Sequence, residues 1–212
     1  MTSWAAHERA ALVDALAEVG PDAPTLCEGW TAADLAAHVY VRERRPDAAL
    51  GVLPLGPLSA YTERVMRSVL RLYTYDQLLA RLREVAPILR VTHLDEAINV
   101  FEFFIHTEDV RRPNKLPLRD MPADFEAKIW SRLSRQARMA FRRVPARVRL
   151  VPTVGESAAG TPAEFGKGEV VEVRGKPSEL LLLTYNRKAD AKVEYDGSPA
   201  AVDALQSARL GL

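Results

Sequence analysis

Cysteine is almost missing from this chain of 212 residues. The single one, Cys27, excludes an intrachain disulfide and any zinc knuckle built from several cysteines. Net charge is almost missing too, since 29 Lys and Arg against 28 Asp and Glu leave +1. That balance gives no general attraction to nucleic acid or to an anionic membrane, and neither is expected as a partner. No apolar run approaches the roughly 20 residues that a membrane-spanning helix needs. Met1-Thr2-Ser3-Trp4 does not start a basic region followed by an apolar stretch, so no secretory signal is expected and the expected location is cytoplasmic. Internal repeats and low-complexity tracts are absent as well. What remains is the profile of a globular protein, 48% apolar and 27% charged. Its basic residues gather locally at Arg42–Arg45 and between Arg132 and Arg149, as either a solvated helix face or an anion site.

To about residue 143 the patterning is helical. Helices are expected over 5–19, closed by Gly20-Pro21, and over 31–45, opened by Thr31-x-x-Asp34 as a variant capping box and closed by Pro46. Gly51 to Pro57 reads as a loop. Further helices are expected at 58–71, at 75–86 with Thr74 as N-cap, at 95–112 before Pro113, and from Pro122 to about Arg143. After Pro145 the period becomes that of strands, at 147–151, 169–174 and 191–195. A short helix capped by Ser178 and a last one over 198–210 complete a small α+β part. The expected division is a helical bundle over 1–143 and a small domain over 144–212.

The residues that carry chemistry are His38, Glu102 and His106. Glu102 and His106 are i and i+4, on one helix face with Cβ atoms roughly 5–6 Å apart. Their helix is apolar almost all round, with Ile98, Val100, Phe101, Phe103, Phe104 and Ile105, so it is expected to be buried. A buried carboxylate needs a partner. A divalent cation completed by His38 is one partner, and a three-ligand set leaves an open position as catalytic zinc does. A Glu102–His106 ion pair beside a core histidine accounts for the same residues. Asp109, three residues past His106, either orients the imidazole or is a surface carboxylate near a helix end. Cys27 precedes a helix N-terminus, which can activate a thiol, or it is a small buried apolar residue. Asp34 is explained by capping, and His7 and His93 have no partnered spacing.

Two strings then resemble one family. Leu26-Cys27-Glu28-Gly29-Trp30-Thr31-Ala32-Ala33-Asp34-Leu35-Ala36-Ala37-His38 is similar to the GWT-x-x-DL-x-x-H signature of the mycothiol-dependent maleylpyruvate isomerase family, part of the DinB-like superfamily of metal-binding four-helix bundles. Glu102-x-x-x-His106-x-x-Asp109-Val110 is similar to its second signature, and the longer string to Arg112 resembles an actinobacterial branch described only as metal-binding. More softly, Val173 to Leu183 resembles the G-x-x-x-E/D-L-L-L stretch of the family's sterol-carrier-like C-terminal domain. Asn186-Arg187 stands where relatives carry Gly-Arg.

The resemblance implies a mostly α protein: a DinB-like four-helix bundle followed by a small α+β, sterol-carrier-like domain. It implies His38, Glu102 and His106 as ligands of zinc or another divalent metal, and mycothiol as co-substrate. Arg187 becomes the counterpart of a catalytic arginine, and Asp109 would steady His106. The chemistry that suits the site is activation of a low-molecular-weight thiol, for isomerisation or S-transfer of a small-molecule substrate. A metal-binding protein without catalysis and a zinc hydrolase using metal-bound water stand as alternatives. The second domain would act as a lid, and loops such as Gly51–Pro57 would contact the substrate.

Overall fold

The computed structural model describes residues 3–49, 57–87, 89, 95–155, 157–158 and 160–211. The loop expected at Gly51 to Pro57, apart from Pro57, and His93 fall outside these residues. The chain forms two compact units, Met1–Leu118 and Arg119–Leu212.

The first unit is helical: α1 (Trp4–Val19), α2 (Ala32–Arg44), α3 (Pro46–Ala49), α4 (Pro57–Leu72), α5 (Tyr75–Arg83) and α6 (Asp95–Arg111). Local chemistry sets several of the boundaries. Thr31 accepts from Asp34 N while Asp34 accepts from Thr31 N, a full capping box at α2, and Thr74 with Gln77 does the same at α5. Gly20, at φ +82°, ends α1 where other residues would be strained. Helix α6 packs along α1, and α2 packs on α4 and α5. Their shared core holds Leu12, Leu16, Leu35, Val39, Val65, Leu78, Leu82 and Phe103.

A polar string runs through this apolar core. Arg9 makes a two-pronged pair with Glu43, both bonds 2.7 Å, and a 2.8 Å bond to Asp95. Asn99 donates to Glu43 (2.9 Å) and Asp95 (2.7 Å) and accepts from Arg42. The Arg9 guanidinium also lies 4.5 Å from the centre of the Phe103 ring. Arg42, Arg44 and Arg45 are absorbed by such contacts: Arg44 donates to the carbonyls of Arg81 and Glu84, and Arg45 pairs with Asp47. Of the three, Arg42 joins the string, while the bonds of Arg44 and Arg45 lie at the exposed surface.

The second unit comprises α7 (Ala123–Gln136), α8 (Pro177–Thr184), α9 (Pro199–Ser207) and a small sheet. Its strands are β1 (Arg147–Val154), β2 (Ser157–Ala158), β3 (Ala163–Phe165), β4 (Val170–Gly175) and β5 (Glu194–Gly197). The order is β2-β1-β4-β5, with β1 and β4 parallel, β4 and β5 antiparallel, and β3 also paired to β1. The mostly α fold with a small α+β C-terminal part is as the sequence implies.

Three details differ. Helix α7 lies in the unit that begins at Arg119 and packs on α8. Its buried Glu126 accepts from Ser178 N (2.8 Å) and Ser178 Oγ (2.7 Å). For that reason Ser178 is not the cap of α8, which starts a residue earlier with Pro177 in its first turn and takes its cap from Glu126. The helix expected to reach Arg143 gives way to turns after Gln136. The strand expected at 191–195 is shifted to 194–197, since Ala191 N bonds Arg187 O in a turn and Tyr195 pairs with Val173.

Arg9 and Glu43 have side chains 4% and 0% exposed, so truncating one leaves the other charged and buried. Arg9→Ala is expected to cost about 3–5 kcal/mol. Loss of the exposed Arg83–Asp14 pair in Arg83→Ala should cost under about 1 kcal/mol. Denaturant unfolding compares the two, and equal costs would contradict the role given to the buried string.

Candidate metal centre

Helix α6 explains why polar residues sit in an apolar core: it is buried on nearly every side, so its polar residues must find partners within the bundle. Thr107 donates to Phe103 O (2.7 Å) and Glu108 pairs with Arg112 (2.9 Å). Glu102, His106 and Asp109 instead face α2 and the segment before it.

His38, on α2, and His106, on α6, have side chains 7% and 10% exposed, with ring centres 5.3 Å apart. Between them stands Glu102, whose Oε1 is 3.2 Å from His106 Nε2 and 3.8 Å from His38 Nε2. The donor atoms of His38, Glu102 and His106 all lie within 4.8 Å of one another. A cation with bonds of about 2.0–2.2 Å needs its donors within roughly 4 Å, and the two distances from Glu102 meet that need. Two imidazoles and one carboxylate suit zinc and several other first-row divalent ions. The residues present fit such an ion.

Around this trio, Asp109, 0% exposed, accepts from His106 Nδ1 at 2.9 Å. That bond leaves Nε2 for the trio, the arrangement by which a carboxylate orients a ligating histidine. Asp109 is thus a buried partner of His106 and not a surface carboxylate. Cys27, half-buried, donates its thiol to the same Asp109 Oδ2 at 3.2 Å, and Leu26 N donates to Asp109 O at 2.9 Å. Trp30 lies against His38, ring centres 4.9 Å apart.

The sequence reading overlooked Arg42. Its Nε is 3.2 Å from Glu102 Oε1, and it also reaches Asn99 and Ile98 O. The signal was available: Arg42 is one turn after His38 and faces the same way. Arg187 belongs to the second unit, half-buried on the turn after α8 that follows Asn186 at φ +67°, and donates to Tyr185 O. Asp34 caps α2 as expected, and His7, on α1, contacts Glu8 and Trp4.

Electrostatics separates the two histidines. Burial lowers His38 below its ordinary range, with the Glu102 hydrogen bond opposing. Burial also works against the charged form of His106. Bonds with Asp109, Cys27 and Glu102 outweigh it, and His106 is held well above 6.5. For Glu102 burial favours the protonated form, but His106, His38 and Arg42 hold it well below the ordinary carboxylate range.

A family model described as the mycothiol maleylpyruvate isomerase N-terminal domain matches residues 3–173. No curated protein and no solved structure matches the chain.

The two histidines should pull stability in opposite directions with pH in metal-free protein. His106, raised, contributes stability that is complete below about pH 6.5 and is lost as pH rises through its folded value. His38, lowered, contributes stability present above about pH 6.5 and lost as pH falls through its folded value. Unfolding free energies of His38→Gln and His106→Gln, measured from pH 5 to 9, should therefore tilt in opposite senses relative to the parent. Parallel tilts would refute the assignment.

Proposed function

Because the chain belongs to the mycothiol maleylpyruvate isomerase N-terminal domain family, we propose that it binds zinc through His38, Glu102 and His106 and serves, with mycothiol, as an isomerase or S-transferase acting on a small molecule. The observation that carries this reading is the convergence of three donors from α2 and α6, with the far nitrogen of His106 already held by Asp109. Three protein ligands leave a coordination position open, whereas structural zinc is closed by four. When bound, the cation supplies Lewis acidity that lowers the pKa of an incoming thiol.

The charges around the trio support a thiol as the incoming group. Glu102 is the single anionic donor of the trio, and Arg42 stands 3.2 Å from it. A dication there keeps a net positive charge beside a guanidinium, and an anionic thiolate offsets that charge better than neutral water does. Asp109 fixes the His106 tautomer.

Elemental analysis of the purified protein tests the site. About one zinc per chain is expected, lost in His38→Ala, with affinity weakened about 10–100-fold in Asp109→Asn. Mycothiol should then perturb the fluorescence of the zinc-loaded protein through Trp30, 4.9 Å from His38, and leave the metal-free protein unchanged. Absence of metal after reconstitution overturns the reading. Ester hydrolysis without added thiol would replace it with metal-bound water as nucleophile.

A further inference from the structure

We propose a second cation site, selective for soft ions, on the opposite side of His106, made by Cys27 Sγ, His106 Nδ1 and Asp109 Oδ2. It shares His106 with the site proposed above and takes the same Nδ1 and Asp109 oxygen that otherwise hydrogen-bond to each other, so an ion bound here replaces that bond. Each ring nitrogen of His106 faces a carboxylate oxygen: Nε2 faces Glu102 at 3.2 Å, and Nδ1 faces Asp109 at 2.9 Å. Each carboxylate in turn faces a third donor, His38 at 3.8 Å or Cys27 at 3.2 Å. The donor atoms of Cys27, His106 and Asp109 lie within 4.8 Å of one another, the same bound as for the other trio.

Three features make this more than a cysteine that happens to be near. The sulfur is held in place by its loop: Cys27 N bonds Thr25 Oγ1 (3.2 Å), Trp30 N bonds Cys27 O (2.9 Å), and Leu26 N bonds Asp109 O (2.9 Å). Gly29, at φ +77°, allows the turn that returns the chain to Trp30. Charge is the second feature. A thiolate and a carboxylate neutralise a dication completely, whereas the Glu102 trio supplies one negative charge next to Arg42. The third is softness, since sulfur favours soft ions such as cadmium and copper(I) over the harder ions that oxygen and nitrogen accept. Half-buried Cys27 gives an ion a way in, while Asp109, 0% exposed, closes the inner side.

Titration of the whole protein with Cd2+ alone tests this, read by the thiolate-to-metal charge-transfer band in the ultraviolet and by the rate of Cys27 alkylation with iodoacetamide. The band and at least about tenfold protection from alkylation are expected in the wild type and in His38→Ala, because the thiolate is then held by metal. Both should vanish in Cys27→Ser (band) and His106→Gln (band and protection), with folding of each variant checked by circular dichroism. No band in the wild type overturns the proposal and leaves Cys27 as a hydrogen-bond donor to Asp109. A band lost in His38→Ala overturns it as a site of its own, and a band that survives His106→Gln reports cadmium held without His106 and overturns it too.

Discussion

The hydrogen bond between His106 Nδ1 and the buried Asp109 carboxylate is the contact from which the rest of the first unit can be understood. It fixes the imidazole plane, and with it the direction of Nε2 toward Glu102 and His38. The same carboxylate accepts the Cys27 thiol, and the backbone of the same residue accepts Leu26 N. The segment between α1 and α2 is thereby attached to α6 at one residue. Burial makes the arrangement demanding, because a carboxylate without solvent must have every oxygen answered from within the protein.

From Glu102 the polar string continues through Arg42 and Asn99 to Glu43, Asp95 and Arg9. It crosses from α6 to α2 and on to α1, the helices that also share the apolar core. Hydrophobic burial brings these helices together without specifying their rotation. The string does specify it, since a helix turned out of register would strand a buried charge. Glu102 and His38 face each other for the same reason that Arg9 and Glu43 do.

Much of this was legible from residues alone. The capping box at Thr31, the N-cap at Thr74, the stop at Gly20 and the all-round apolar character of α6 are local signals, and each corresponds to an observed element. The spacing of Glu102 and His106 announced a shared face, and His38 could be nominated because it too interrupts an apolar stretch. What escaped depends on long-range pairing. Nothing near Ser178 announces that Glu126, 52 residues earlier, supplies the cap of α8. The strand at Glu194–Gly197 is set by its register with β4 rather than by its own alternation. Arg42 was read as part of a basic cluster because its partner, Glu102, is 60 residues away in the chain.

The three residues of the His38 trio are not equally enclosed: the histidine side chains are 7% and 10% exposed, that of Glu102 22%. The carboxylate is therefore the doorway and the imidazoles are the walls. An ion taking this position would enter and leave past Glu102, and Arg42, anchored to Asn99 and the Ile98 carbonyl, stands at that threshold. How long an ion stays is then governed by a different residue from those that decide how tightly it is gripped. Residence time and affinity become separable properties, one adjustable at Arg42 and the other at Asp109.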